Sequence, residues 1–165
     1  MTNPNRASTA PLEQRLRRLC SSGYRAYDRQ DYDAALRKFY QAWTLIPKPQ
    51  TELEASGWVL TAIGDAYFRK GNYTAGIEAL RSVLYCPKSV GNPFIHLRLG
   101  QCFLEHGEQD DADRHLVRAL QTGAELFERE QPRYRERAEQ ALAHWQAANH
   151  QGGTVIALGP ELQPG

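Results

Sequence analysis

The chain has 165 residues, of which 41% are hydrophobic and 24% are charged, and its formal net charge at pH 7 is +1. This near-neutral balance gives no general attraction for a polyanion, so the composition argues against a nucleic-acid partner. No apolar run approaches the roughly 20 residues that a membrane-spanning helix needs. We therefore expect one domain with a modest core and no membrane association.

The cysteines and the N-terminus bear on the compartment. Cys20, Cys86 and Cys102 are widely spaced and form no CxxC pair. This favours buried free thiols in a reducing compartment over a redox or metal role. The first residues contain no apolar segment of signal-peptide length. We expect a cytoplasmic protein whose residues 1–10 form a disordered N-terminus.

The first helix pair is predicted from apolar residues at three- and four-residue intervals after Leu12. Pro11 suits the first turn of the helix, with Ser8 or Thr9 as a cap. The dipeptide at 30–31 predicts a turn, and a second helix follows over about 32–45. Pro47 ends it.

The second pair is predicted to begin near Thr51, because Thr51 and Glu54 have capping-box spacing. A turn at 70–72 separates it from a helix over about 73–85. The third pair begins at Asn92, an N-cap followed by Pro93 at the first helical position. It turns near Gly107 and resumes at about Gln109.

A continuous period extends the sixth helix past Gly123 to about Glu130, and Pro132 opens a final helix to about Ala148. We expect the helical domain to cover residues 11–149 and a flexible tail to cover 150–165. The tail contains a short apolar run at 155–158. Docking of that run on the helices or on a partner is the alternative to disorder.

The same spacing of small residues occurs in all three pairs. A glycine is followed after twelve residues by a small residue, and after seven more by another. The three copies are Gly23–Ala35–Ala42, Gly64–Gly76–Val83 and Gly100–Ala112–Ala119. Small residues let antiparallel helices approach closely, and a repeated unit buries its apolar face by stacking on its copies. The prediction is an all-α, right-handed helical-repeat solenoid of three helix pairs with a C-terminal capping helix.

This pattern resembles the tetratricopeptide repeat over residues 12–122. The glycine spacings of 41 and 36 exceed the family period of about 34 residues, and an unrelated helical bundle is the alternative. The second pair matches at Ile63, Gly64, Tyr67, Gly71, Tyr73, Leu80 and Pro87, the third at Leu99, Gly100, Phe103, Gly107, Ala112 and Leu116, and the first at Gly23, Tyr32, Ala35, Phe39 and Pro47.

A narrower resemblance concerns three short segments. The segments at 64–68, 91–95 and 97–101 are similar to those of small bacterial tetratricopeptide proteins. Such proteins are often encoded beside polymorphic toxins, including those with Rhs repeats, and are thought to be their immunity proteins. The resemblance implies that this chain binds and neutralises a cognate toxin.

The family resemblance also implies a binding surface, because the first helix of each pair lines a concave groove in this fold. Tyrosine, tryptophan and arginine, which dominate protein interfaces, occur at the groove positions that helical phase selects as exposed. The predicted partner-binding residues are Arg17, Tyr24, Tyr27 and Asp28, then Trp58, Thr61, Asp65, Phe68 and Arg69, then Phe94, Arg98, Gln101 and Glu105, with Ser21, Leu97 and Leu104 on the same faces.

Several of these residues have structural alternatives. Trp58 and Phe94 are candidates for packing between helices, and Asp65 and Arg98 for pairing with each other. Tyr24 and Tyr27 are candidates for a half-core position. Arg69 and Glu105, which lie near helix ends, are alternatively only solvated.

Repeats that clamp the C-terminal carboxylate of a chaperone use lysine and asparagine at groove positions. Here the equivalent residues include Cys20, Ala62 and Phe94, and only Arg98 fits. We therefore expect a folded domain or a different kind of peptide as the partner.

Catalytic and metal-binding motifs are absent from the sequence. There is no HExxH, GxSxG or GxxxxGK[ST] motif, and the five histidines lack ligand spacing. Acids at 108–113 lie near His106 and His115, but acids at a helix start are favoured by the helix dipole. We expect no cofactor, no metal and no enzymatic activity; an enzyme with an unrecognised site is the alternative.

The function predicted from these features is a non-catalytic module that binds and neutralises one specific protein. The competing functions are a secretion-type chaperone, which would hold an extended client peptide, and a structural adaptor in a larger assembly. The sequence leaves the oligomeric state and the partner's identity open.

Overall fold

The structure is a computed structural model that describes the backbone of residues 4–152 and the side chains of residues 11–150. Within this range the chain is all-α, as expected, and no helix there is both long and apolar enough to span a lipid bilayer. Short 3-10 helices cover Gln50–Glu52 and Ala124–Arg129. The α-helices are α1 (Pro4–Asp28), α2 (Tyr32–Leu45), α3 (Glu54–Lys70), α4 (Tyr73–Val83), α5 (Pro93–His106), α6 (Gln109–Gly123) and α7 (Pro132–Gly152).

The helices belong to two compact units, Met1–Val90 and Gly91–Gly165, which we call unit 1 and unit 2. In unit 1, α1 packs on α2, α2 on α3, and α3 on α4, and α1 also contacts α3. In unit 2, α5 packs on α6, and α6 on α7. Helices that are consecutive in the sequence therefore pack as adjacent pairs within each unit.

The N-terminal boundary differs from the prediction. The first helix begins at Pro4, and Pro11 lies inside it, whereas the predicted helical domain begins at residue 11. The expected disorder of residues 1–10 stays a prediction. Proline at the first helical position loses no hydrogen bond, and Ala7 and Ala10 have high helix propensity.

The turns of the three helical hairpins have the same backbone conformation. A residue with positive φ ends the first helix of each pair: Gln30 (61°), Gly71 (82°) and Gly107 (91°). In each pair the next residue donates its N–H to the carbonyl five positions earlier. These bonds are Asp31 to Ala26 (3.0 Å), Asn72 to Tyr67 (2.9 Å) and Glu108 to Phe103 (2.9 Å).

The three predicted glycines, one in each hairpin, also make the same kind of contact. Each faces a large side chain sixteen residues later, at the centre of its helix pair, and an added Cβ would overlap that side chain. The atoms nearest to that Cβ therefore belong to a large residue of the second helix. The pairs are Gly23 with Phe39, Gly64 with Leu80 and Gly100 with Leu116.

At the other helix ends, some predictions are confirmed and others are wrong. Asn92 caps α5, accepting the N–H of Phe94 at 3.0 Å, with Pro93 at the first position as predicted. The capping box at Thr51 is wrong, because a 3-10 turn precedes α3 and Leu53 occupies the N-cap without a side-chain bond. The sixth helix ends at Gly123, and the predicted extension to Glu130 is a 3-10 helix instead.

The C-terminal boundary lies slightly beyond the expected one, since α7 begins at Pro132 as predicted and continues to Gly152. The apolar run at 155–158 lies outside the described residues. The core of unit 1 contains Leu16, Phe39, Val59 and Ile63, and that of unit 2 contains Ile95, Leu99, Leu116, Phe127, Tyr134 and Ala138.

Candidate protein-binding site

Two contacts join α1 to α3 on the surface of unit 1. The guanidinium carbon of Arg17 lies 4.2 Å from the centroid of the Trp58 ring. Further along both helices, Nε of Arg69 donates to the hydroxyl of Tyr27 at 3.0 Å. Because the contacts advance in the same direction along both helices, α1 and α3 run parallel. Four predicted site residues are thus brought together.

Tyr24 lies between these contacts on α1 and is 39% exposed. Its ring meets Phe39 edge-on, with centroids 5.1 Å apart, and Tyr27 at 5.8 Å. Tyr27 in turn meets Tyr32 at 5.4 Å. The base of each ring is held by aromatic neighbours, which agrees with the predicted half-core position. We call Arg17, Tyr24, Tyr27, Trp58 and Arg69 the α1–α3 face.

The other predicted residues of unit 1 contribute less surface. Asp28 is exposed, and half-buried Thr61 donates its hydroxyl to the carbonyl of Gly57 at 2.6 Å. The expected exposure of Asp65 and Phe68 is wrong, since they are only 4% and 8% exposed. The reason is that α3 packs against α1, α2 and α4, which leaves a narrow exposed strip.

In unit 2 the predicted surface residues on α5 form a buried polar cluster. Nη1 of Arg98 donates to Oε1 of Gln101 at 2.7 Å and to Oε1 of Glu130 at 2.9 Å. The amide of Gln101 donates to Oε2 of Glu130 at 2.9 Å. Arg98 is 3% exposed and Gln101 is fully buried. Their expected exposure is therefore wrong, because the segment before α7 covers α5.

The remaining predicted residues of α5 are also engaged within unit 2. Phe94 is half-buried, and the guanidinium carbon of Arg98 lies 5.1 Å from its ring centroid. Glu105 accepts hydrogen bonds from the hydroxyl of Tyr134 (2.7 Å) and from Arg133. Of the two flanking positions, Leu97 is buried and Leu104 half-buried. The predicted pairing of Asp65 with Arg98 involves both units and stays a prediction.

A cleft on the α2 side of unit 1 was not predicted. The hydroxyls of Tyr40 and Tyr67 lie 2.9 Å apart, and burial together with this bond raises the pKa of Tyr40. Lys70 donates to Asp33 and lowers the pKa of that carboxyl. The cleft has a volume of about 600 Å³ and is lined by Asp33, Leu36, Arg37, Tyr40, Gln41, Thr44, Tyr67 and Lys70.

A buried histidine pair in unit 2 was also missed. Nδ1 of His96 and Nδ1 of His115 lie 2.9 Å apart, and the ring of His115 stacks on Phe103 with centroids 5.6 Å apart. One ring nitrogen must donate and the other accept, so the two imidazoles hold complementary tautomers. Their spacing of 19 residues gave no local signal in the sequence.

The cysteines carry free thiols. Burial raises the pKa of both Cys20 and Cys86, which keeps these thiols protonated and weakly nucleophilic at neutral pH. Within residues 11–150, no three histidine, cysteine or carboxylate side chains are grouped to hold a metal ion.

No family model matches the chain, and no curated protein matches it either. The resemblance to tetratricopeptide repeats therefore rests on the residues of the chain itself.

Proposed function

We propose that this chain is a non-catalytic protein-binding module of the tetratricopeptide-repeat type, which binds one specific partner protein on the α1–α3 face. The partner is a bacterial toxin, and the chain acts in the cytoplasm as its immunity protein. The observation that carries the proposal is the paired arrangement of Arg17 with Trp58 and of Tyr27 with Arg69.

The repeat assignment draws support from the recurrence of two features at fixed offsets. Each hairpin has a positive-φ residue seven positions after its glycine and a large packing partner sixteen positions after it. An unrelated bundle has no reason to reproduce both offsets three times. Stacking of the three pairs into one right-handed solenoid is part of the proposal.

The binding role draws support from the chemistry of the α1–α3 face. Arginine and aromatic side chains are enriched in interface hot spots. Here each long arginine side chain is held by an aromatic group of the other helix, which lowers the conformational entropy that binding would cost. A surface that is ordered before the partner arrives favours a folded domain over an extended peptide.

Neutralisation would follow from occlusion. A toxin whose active or substrate-binding surface lies against α1 and α3 cannot reach its substrate while the complex lasts. The similarity of the segments at 64–68, 91–95 and 97–101 to toxin-associated proteins motivates the choice of partner. This mechanism requires tight binding from the chain and no reaction chemistry.

The experiment is co-expression of the chain with the product of the neighbouring gene. We expect the two proteins to co-purify, and we expect growth arrest by the neighbour to be relieved. The double variant Trp58→Ala/Tyr24→Ala should lose both effects. The control Tyr40→Ala removes an equally exposed tyrosine from α2 and should retain them.

Two outcomes would overturn the proposal. One is that the neighbour neither co-purifies nor loses toxicity. The other is that a short unfolded segment of a client binds as tightly as the whole protein, which is the behaviour of a secretion chaperone.

A further inference from the structure

Charge is unevenly divided between the two units. Unit 1 has 13 lysines and arginines against 8 acids, a net charge of +5, whereas unit 2 has 7 against 11, a net charge of −4. The net charge of +1 for the whole chain is therefore the sum of a basic unit 1 and an acidic unit 2. Much of the positive charge of unit 1 lies on α1.

Four arginines form a stripe on α1 and its C-terminal end. Arg15, Arg18 and Arg25 lie on α1, and Arg29 directly follows it; all four are exposed. At 100° per residue their directions fall within an arc of about 80°, and they extend over about 21 Å. Half-buried Ser22 occupies the remaining place in this series. We call these four residues the arginine stripe.

The arginine stripe is unpaired within residues 11–150, where none of its four guanidinium groups forms an ion pair or a side-chain hydrogen bond. The arginines of unit 2 behave differently, because five of its seven are paired with carboxylates. Those five are Arg98, Arg114, Arg133, Arg135 and Arg137.

The helix dipole explains the positions of only two of the four arginines. Cations are favoured in the last turn of a helix, which accounts for Arg25 and Arg29. Arg15 and Arg18 lie about three to four turns before that end, outside the reach of this effect. Four like charges along one helix face repel one another, so the stripe gains stability when an anionic surface covers it.

We propose that the arginine stripe docks on an acidic face of another protein, with carboxylates spaced along a helix or strand to meet the four guanidinium groups. Guanidinium groups bind carboxylates in bidentate geometry. The stripe contains no aromatic side chain to stack on a base and no large apolar side chain to enter a bilayer, so nucleic acid and lipid fit it less well. Arg17 points to another side of α1, and the inference does not depend on the α1–α3 face.

The probe is a fluorescein-labelled, alanine-based helical peptide with glutamates along one face at intervals of three and four residues. Its control is a peptide of the same composition with the glutamates distributed around the helix. We expect the full-length chain to bind the striped peptide about tenfold more tightly than its control in fluorescence anisotropy at low salt. Raising the salt to about 0.5 M should weaken this binding, because it shortens the Debye length.

Two variants of equal charge test the location. Replacing Arg15, Arg18, Arg25 and Arg29 by glutamine should weaken peptide binding at least tenfold. The same change at four other unpaired arginines should leave it within about twofold, since only long-range attraction is lost. Those control positions are Arg37, Arg81, Arg118 and Arg129. Circular dichroism checks that both variants keep their helices.

Three results would overturn the inference. Equal losses in the two variants would mean that net charge alone attracts the peptide. Unchanged binding in the stripe variant would place the contact elsewhere. Tighter, stripe-dependent binding of a single-stranded RNA or of phosphatidylserine vesicles than of the striped peptide would assign the surface to a different class of partner.

Discussion

Gly64 on α3 faces Leu80 on α4 so closely that a single added methyl group would overlap the leucine side chain. Gly64→Ala should therefore destabilise unit 1 by about 1–3 kcal/mol, because the two helices must move apart. Urea denaturation followed by circular dichroism measures this change. Gly91→Ala is the control, since a Cβ at Gly91 meets no atom within 4 Å. Equal stability of the two variants would contradict the close contact.

The connection at Gln30 should be improvable. Gln30 has a φ of 61°, whereas the equivalent positions in the other two hairpins are glycines. An L-residue pays about 1–2 kcal/mol in this region, and glycine does not. Glycine also has more conformational freedom in the unfolded state, which offsets part of this gain. We therefore expect Gln30→Gly to stabilise the chain by up to about 1 kcal/mol.

The reverse substitution provides the matched measurement. Gly71→Ala, at the same place in the second hairpin, should lower the stability by about 1 kcal/mol. Thermal unfolding of the two variants should give shifts of opposite sign. Shifts of the same sign would show that the hairpins do not share a backbone conformation.

Arg17 should matter more for binding than for stability. An exposed cation–π contact contributes about 0.5–1 kcal/mol, so Arg17→Ala should barely change the unfolding midpoint. Loss of the guanidinium and release of Trp58 should weaken the proposed complex about tenfold, measured by isothermal titration calorimetry with the co-purified partner. Arg37→Ala removes an exposed arginine from α2 as the control. Equal affinities of the two variants would exclude Arg17 from the interface.

Arg98, in contrast to Arg17, should matter for the stability of the fold. Its ion pair with Glu130 is buried, and both side chains are less than 10% exposed. Arg98→Ala leaves Glu130 as a buried charge without this partner and should cost about 3–5 kcal/mol of unfolding free energy. The control Arg135→Ala breaks the exposed pair with Glu139 and should cost at most about 0.5 kcal/mol. Similar costs would show that the Arg98 pair is open to solvent.

The carboxyl of Asp33 offers a test by titration. Its pKa lies below the usual value because Lys70 donates a hydrogen bond to it and carries a positive charge. Because the pKa of Asp33 is lower in the folded state, its ionised carboxyl stabilises the fold at pH values above about 3.9, the ordinary pKa of aspartate. This stabilisation is lost as the pH falls through the lowered pKa, where the carboxyl becomes protonated in the folded state too. The pair is exposed, so its effect on stability is small.

Lys70→Gln should raise the pKa of Asp33 toward the ordinary value, observed by NMR of the side-chain carboxyl carbon. Lys88→Gln removes a lysine paired with Glu54 and should leave the pKa of Asp33 unchanged. An unchanged pKa in the Lys70 variant would mean that the two side chains do not meet in solution.

Local features of the fold were predictable from the sequence. The bounds of α2 at Tyr32–Leu45 and the cap at Asn92 are confirmed, because periodicity and capping act within a few residues. The glycines were identified by spacing, but their partners were not. Only the packed helices reveal that each glycine receives a side chain one turn beyond the predicted small residue.

Features that depend on distant segments were not predictable. Arg98 and Gln101 were expected on a surface because α5 alone leaves their side of the helix open. Glu130, 32 residues after Arg98, closes that side, and no local pattern gives its position. The Arg17 contact with Trp58 joins residues 41 positions apart, yet both were selected because the resemblance to tetratricopeptide repeats implied that α1 and α3 line one groove.

The buried contact between Arg98 and Glu130 attaches the segment before α7 to α5. A chain shortened to end at residue 129 would lose the Glu130 carboxylate, which accepts hydrogen bonds from Arg98 and Gln101. We therefore expect the α5–α6 hairpin to be less stable when it is excised without the segment before α7 than when that segment is kept.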